Sequence, residues 1–70
     1  MNRTPVSSSN LHSVGYDPEL LTLEVAFHSG GIYQYYKVPQ TTYDGLMNAE
    51  SHGRYLAYRI KGFYSYERVG

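Results

Sequence analysis

The chain has 70 residues, which is enough for one domain and too few for two separate cores. It contains no cysteine, which excludes a disulfide framework and a thiolate metal site, and its formal net charge is zero. No apolar run approaches the ~20 residues that cross a bilayer. We therefore predict a soluble, cytoplasmic domain that makes no membrane contact and whose nine tyrosines supply much of the core.

The basic residues gather toward the C-terminal end. From residue 54 onward, four basic residues stand against a single acidic one, Glu67. Such a bias can mark a surface that binds anions. The alternative, which we favour, is that this segment packs beside the acidic strands and cancels their charge.

The first ten residues are polar and rich in serine. We predict a flexible leader at residues 1–5 and a single domain at residues 6–69. Within that domain, residues 11–16 alternate weakly between apolar and polar types, which predicts a first strand.

A turn and a second strand follow. Residues 17–20 predict the turn, because Pro18 presets φ and the Asp17 side chain accepts backbone hydrogen bonds. Residues 21–28 alternate cleanly between apolar and polar types, as a half-buried strand does.

The third strand carries three tyrosines and follows a glycine-rich turn, so two hairpin registers are open. With a two-residue loop, Gln34 and Tyr36 face the core. With a three-residue loop and a bulge at Gly30, Tyr33 and Tyr35 face it instead. The bulged register is favoured because it keeps the Gln34 amide out of the core.

Two short helices come next. A threonine cap at residues 41–42, with Asp44 in the first turn, predicts the first helix. Ser51 caps the second helix, which ends near Gly62. The inner stripe of the second helix consists of Gly53, Leu56, Ala57 and Ile60.

Residues 63–69 alternate as a last strand, which makes the order β-β-β-α-α-β. We predict an α+β fold in which an antiparallel β-sheet of about four strands carries two short helices packed on one face. The other face of the sheet is left to the polar residues of each strand.

This order of elements, together with several short stretches of residues along it, resembles the KTSC domain. The resemblance extends over residues 6–68. The matching stretches are Ser8-Ser9-Asn10-Leu11, Val14-Gly15-Tyr16-Asp17, Leu23-Glu24-Val25, Tyr33-Gln34-Tyr35, Val38-Pro39, Ser51-His52-Gly53 and Ile60-Lys61, with Phe27, Leu46, Ala49 and Tyr64 between and after them.

The resemblance carries expectations about function. That family occurs at the C-terminus of some lysyl-tRNA synthetases and as small free-standing bacterial proteins, and RNA binding has been suggested for it from that context. Its central Tyr-x-Tyr corresponds to Tyr33 and Tyr35. Many relatives are expected to carry an asparagine near Ala57, so a polar contact made by that asparagine would be missing here.

The residues themselves do not assemble a catalytic or metal site. His12, His28 and His52 are scattered, and no pair has the spacing of a zinc site. The glycine pair at residues 30–31 lacks the helix and lysine of a phosphate-binding loop. We predict that the protein is not an enzyme and uses no cofactor or metal.

Two kinds of partner remain. Single-stranded RNA or tRNA could stack its bases on tyrosines of the sheet and place its phosphates beside basic groups. A protein partner or a second copy of the chain is the alternative, which leaves a monomer or a weak homodimer. The residues predicted for nucleic-acid binding are Tyr33, Tyr35, Tyr36, Lys37, Arg54, Arg59 and Lys61.

Overall fold

The computed structural model describes all 70 residues and folds them into one antiparallel sheet with two helices. The helices are α1, Gln40–Asn48, and α2, His52–Tyr55, which runs on into a single π-helical turn at Leu56–Ile60. The strands lie side by side in chain order. Their bounds are β1, Thr4–Pro5; β2, Leu11–Asp17; β3, Thr22–Phe27; β4, Ile32–Tyr35; and β5, Tyr66–Arg68. The predicted α+β class is confirmed, with β1 as an additional strand.

The first residues differ from the sequence-based expectation. Residues 1–5 were expected to form a flexible leader, but Thr4 pairs with Val14 and Pro5 with Ser13 in the sheet. Two features hold them there. Arg3 forms an ion pair with Glu24 of β3, and Gly15 lacks the Cβ that would lie 2.5 Å from the Asn2 carbonyl oxygen. The ordered fold therefore begins before residue 6.

The hairpin between β3 and β4 takes the bulged register. Leu23 pairs with Tyr35 and Val25 with Tyr33, so both tyrosines lie on the face that the helices cover. The three-residue loop is closed by Gly30, whose φ of +109° suits a residue without a Cβ. The favoured prediction is confirmed, and the Gln34 amide lies on the opposite face.

The core lies between the helices and one face of the sheet, here called the covered face. Tyr35 is 2% exposed and belongs to it. The other buried apolar side chains are Leu11, Val14, Leu23, Val25, Val38, Leu46, Leu56 and Ile60.

The helix ends differ in part from the predictions. Helix α1 begins at Gln40, earlier than the threonine cap predicted. Its N-cap is Pro39, which forms no side-chain capping hydrogen bond. The predicted Ser51 cap is confirmed, since its hydroxyl accepts a hydrogen bond from the Arg54 N–H at 3.2 Å.

The π-helical turn changes which side chains of the second helix face the core. The Lys61 N–H donates to the Leu56 carbonyl at 2.8 Å, a spacing of five residues. Leu56 and Ile60 are buried, but Ala57, which was predicted to belong to the inner stripe, is exposed. The wider turn thus presents fewer residues to the sheet than a regular helix would.

Candidate functional site

A cleft of about 550 Å³ opens on the covered face of the sheet, beside the end of the π-helical turn. It lies where the helices stop covering the sheet, so aromatic side chains of three strands reach its walls. We call it the aromatic cleft. It is lined by Phe27, Ser29, Tyr33, Tyr35, Lys61, Gly62 and Tyr66.

The rings of the aromatic cleft contact one another edge to face or at a tilt. The centroid of Tyr33 lies 5.6 Å from that of Phe27 and 5.9 Å from that of Tyr66. Tyr35 lies 5.6 Å from Tyr66 and forms the buried floor, whereas Tyr66 is 59% exposed and forms the rim. None of these pairs is stacked face to face, so a flat ring entering the cleft still finds aromatic faces to lie against.

Lys61 supplies the positive charge of the aromatic cleft. Its Nζ lies 5.3 Å from the centroid of the Phe27 ring. The one ion pair in the chain joins Arg3 to Glu24, and no carboxylate lines the cleft. The Lys61 ammonium is therefore free to attract an anionic group.

The Tyr35 hydroxyl, at the floor of the cleft, stays neutral at physiological pH. Burial raises the pKa of Tyr35, and the neighbouring Tyr66 and Tyr33 raise it further. A neutral phenol can donate and accept hydrogen bonds but does not act as a base near pH 7. The aromatic cleft can therefore hold a flat, polar-edged ring beside an anion.

The residues predicted for binding fall in three separate places. Tyr33, Tyr35 and Lys61 meet in the aromatic cleft. Arg54 and Arg59 line a different groove, which also contains Glu50, and the Arg59 guanidinium lies 5.9 Å from the Tyr55 ring.

Tyr36 and Lys37 lie elsewhere again. The Tyr36 hydroxyl is 3.3 Å from both Gln34 Oε1 and Glu67 Oε1 on the face opposite the helices. Lys37 is exposed and adopts a φ of +58°, which takes the chain out of β4. Neither residue reaches the aromatic cleft.

Two walls of the aromatic cleft, Phe27 and Tyr66, were not among the residues predicted for binding. Phe27 lies in the second predicted strand and Tyr66 in the last one, whose neighbour in the sheet was not predicted. The two-residue spacing of Tyr64 and Tyr66 is the sequence signal for a strand there, but the place of Tyr66 depends on the pairing of β5 with β4, which puts Tyr66 opposite Tyr35.

A polar network crosses the face of the sheet that the helices leave uncovered. Arg3 Nη1 donates to Glu24 Oε2 at 2.6 Å, and Gln34 Nε2 donates to Glu24 Oε1 at 2.8 Å. Burial by itself raises the pKa of the Glu24 carboxyl, but the two hydrogen bonds and the charge of Arg3 outweigh it and lower that pKa. The network fixes the N-terminal residues and lies on the far side of the sheet from the aromatic cleft.

No group of three or more His, Cys, Asp or Glu side chains lies close enough together to hold a metal ion. No helix of the chain has the length and apolar character needed to cross a membrane.

Comparison with known proteins gives consistent matches along nearly the whole chain. The model of the KTSC domain family matches residues 7–66. The structure is similar to the crystal structure of a KTSC domain protein from Yersinia pestis, with a TM-score of 0.96 and 42% sequence identity, over 99% of this chain and 97% of that one.

Sequence relatives are of two kinds. An uncharacterized protein of Stutzerimonas stutzeri strain A1501 is 43% identical over 70 residues, which is 99% of each chain. A lysine–tRNA ligase of Nostoc sp. strain PCC 7120 is 46% identical over 54 residues, which is 77% of this chain and 10% of the ligase. The chain thus resembles a whole small protein in one case and a small part of a ligase in the other.

Proposed function

The chain belongs to the KTSC domain family, and from that premise we propose that it is a non-enzymatic module that binds unpaired RNA bases in the aromatic cleft. The observation that carries the proposal is the placement of Lys61, a cation without a carboxylate partner, beside the rings of Phe27, Tyr33 and Tyr66. Proteins that bind single-stranded RNA combine aromatic faces, on which the bases stack, with positive charge beside the phosphates.

The energetics fit a modest affinity. Stacking of a base on an aromatic side chain contributes ~1 to 3 kcal/mol. One lysine contacting one phosphate gives a salt dependence of about −0.7 in log K against log salt for a single strand. A chain of zero net charge has no long-range attraction to add to these terms. The proposal is therefore of weak binding that is carried more by stacking than by charge.

The groove at Arg54 and Arg59 is a poorer candidate although it holds more positive charge. Glu50 lines the same groove, and its carboxylate repels a phosphate.

The relatives support RNA as the ligand through their names. Three of them are called lysine–tRNA ligase and match this chain over part of their length. A tRNA offers unpaired bases in its loops and at its 3′ end. We propose tRNA as one source of the ligand, and the cytoplasm, which suits a chain without cysteine, as the place of action.

The test is a titration of the protein with a fluorescently labelled single-stranded RNA hexamer at low salt. Tyr66→Leu is the site variant, and Tyr58→Leu is its matched control, because both tyrosines are exposed, at 59% and 69%, and only Tyr66 lines the aromatic cleft. We expect Tyr66→Leu to weaken binding at least about fivefold and Tyr58→Leu to leave it unchanged. No binding below about 100 μM by the wild-type protein at low salt would refute the proposal, since phosphate contacts are strongest there.

A second candidate function is association with another protein. Strand β5 is the last strand of the sheet, and Phe63 and Val69 beside it are 70% and 48% exposed. Exposed apolar residues next to an open strand edge favour pairing with another chain. Sedimentation that shows a dimer, together with absence of RNA binding, would favour this function over the first.

A further inference from the structure

The aromatic cleft continues into a second cleft, which we call the polar cleft. The polar cleft has a volume of about 420 Å³ and shares Phe27, Ser29 and Lys61 with the aromatic cleft. Its other walls include Ser9 and Asn10 from the loop before β2, His28 after β3, and Gly53 in α2. The two clefts are therefore adjacent, with Lys61 between them, and we call them together the groove.

The walls of the polar cleft offer hydrogen-bonding groups and no negative charge. No aspartate or glutamate lines it, as none lines the aromatic cleft. The Asn10 amide lies close to Gly53, at which a Cβ would stand 3.2 Å from Asn10 Nδ2. Because Gly53 has no side chain, the Asn10 side chain can occupy the mouth of the cleft.

The loop that presents Asn10 is held by bonds that do not use the Asn10 side chain. Ser8 Oγ accepts hydrogen bonds from the backbone N–H groups of Asn10 and Leu11, both at 3.2 Å. His28 Nε2 donates to the Ser8 carbonyl at 2.9 Å. The Asn10 side chain is therefore available to a ligand on a loop that these hydrogen bonds hold in place, and Ser29 adds a hydroxyl from the hairpin between β3 and β4.

A nucleotide chain has the sequence of groups that this groove presents. It alternates flat bases with phosphates, and each phosphate adjoins a ribose that carries a 2′-hydroxyl able to donate and to accept hydrogen bonds. The groove presents aromatic rings, then a lysine, then amide and hydroxyl groups. The chemical groups along the groove therefore stand in the same order as the base, phosphate and ribose to which they would bind in a dinucleotide.

We propose that the groove binds two successive nucleotides of single-stranded RNA, with one base in the aromatic cleft, the connecting phosphate at Lys61 and the ribose of the neighbouring nucleotide in the polar cleft. This proposal rests on the proposed function and adds a second subsite to it. It assigns Asn10 and Ser29 to ligand binding, while His28 holds the loop that presents Asn10. It also predicts that RNA binds better than DNA, because the 2′-hydroxyl meets hydrogen-bonding groups in the polar cleft.

The test compares a mononucleotide with a dinucleotide. The probes are adenosine 5′-monophosphate, the ribodinucleotide ApA and the deoxydinucleotide dApdA, titrated by calorimetry or NMR. We expect ApA to bind at least about fivefold tighter than the mononucleotide, and dApdA to bind more weakly than ApA.

The variant for the second subsite is Asn10→Asp, which keeps the side-chain shape and adds a negative charge at the mouth of the polar cleft. Its matched control is Gln40→Glu, the same change from amide to carboxylate at an exposed residue at the start of α1. We expect Asn10→Asp to weaken ApA several-fold, more strongly at low salt, because it loses the ribose contact and gains repulsion of the phosphate. The mononucleotide, which feels only the repulsion, should be weakened less, and Gln40→Glu should change neither. Circular dichroism of both variants checks that each is folded.

The outcomes separate this proposal from the one on which it rests. If the mononucleotide and ApA bind equally, or Asn10→Asp leaves ApA binding unchanged, the second subsite is refuted and base binding in the aromatic cleft stands. If neither probe binds and the RNA hexamer does not bind either, both proposals fail.

Discussion

Tyr35 and Tyr66 pair across strands β4 and β5 with ring centroids 5.6 Å apart, yet the first is 2% exposed and the second 59% exposed. The pair therefore spans the boundary between the hydrophobic core and the aromatic cleft. Tyr35 stabilises the fold from below the cleft, whereas the Tyr66 ring is accessible to a ligand. A change at Tyr35 alters this surface through the stability of the core, whereas a change at Tyr66 alters the surface directly.

The first prediction separates stability from binding at this pair. Tyr35→Ala removes a buried ring and should lower the free energy of unfolding by about 3 to 5 kcal/mol. That is a large part of the stability that a domain of this size has. Tyr66→Ala should cost about 0.5 kcal/mol or less, as changes at exposed positions usually do. Urea denaturation followed by circular dichroism measures both values, and equal losses would contradict the assignment of core and rim.

The second prediction concerns the two lysines that the sequence analysis grouped together. Lys61→Met should weaken RNA binding and reduce the salt dependence by about 0.7 in log K against log salt, since one phosphate contact is lost. Lys37→Met is the matched control, because Lys37 is exposed and lies outside the aromatic cleft. Binding titrations at three salt concentrations give the slopes. A larger effect from Lys37→Met than from Lys61→Met would show that the phosphate lies elsewhere.

The third prediction concerns the ion pair between Arg3 and Glu24. Arg3→Met leaves the Glu24 carboxylate buried without its cation and should lower the free energy of unfolding by about 1 to 3 kcal/mol at pH 7. The double variant Arg3→Met, Glu24→Gln should recover part of that loss, since no buried charge is then left unpaired. Urea denaturation of the wild-type protein, Arg3→Met and the double variant gives the three free energies, and a double variant as unstable as Arg3→Met would contradict the role given to the pair.

The pH dependence of this pair follows from the direction of the Glu24 shift. The pKa of Glu24 in the folded protein lies below its ordinary value of 4.5. The stability that the pair contributes is therefore present above pH 4.5 and is lost as the pH falls through the folded pKa. The difference in stability between wild-type protein and Arg3→Met should shrink from pH 7 to pH 3. A difference that grows on acidification would show that the carboxylate is not held in its charged form.

Much of the fold was accessible to sequence reasoning because its signals are local. The alternation in residues 22–27 predicts β3, and the cost of burying the Gln34 amide selects the hairpin register that the structure shows. Ser51 predicts the start of α2, because the capping hydrogen bond joins residues only three positions apart in the chain.

The parts that sequence reasoning missed depend on contacts between distant residues. Nothing local marks Arg3 as the partner of Glu24, which lies 21 residues away. The position of Tyr66 depends on the pairing of β5 with β4, across both helices. The exposure of Ala57 depends on the π-helical turn, which has no sequence signal as strong as a cap or a glycine. Sequence reasoning could not show that Tyr36, Arg54 and Arg59 lie apart from Tyr33, because composition alone does not say which face a residue occupies.

The central claim, that the aromatic cleft is where RNA binds, is tested most directly by two-dimensional ¹H–¹⁵N NMR during titration with a single-stranded RNA hexamer. The map should show its largest shift changes at the amides of Phe27, Tyr33, Lys61 and Tyr66, and the changes should disappear in Tyr66→Leu. Changes centred on Arg54 and Arg59, or no changes at millimolar RNA, would contradict the claim.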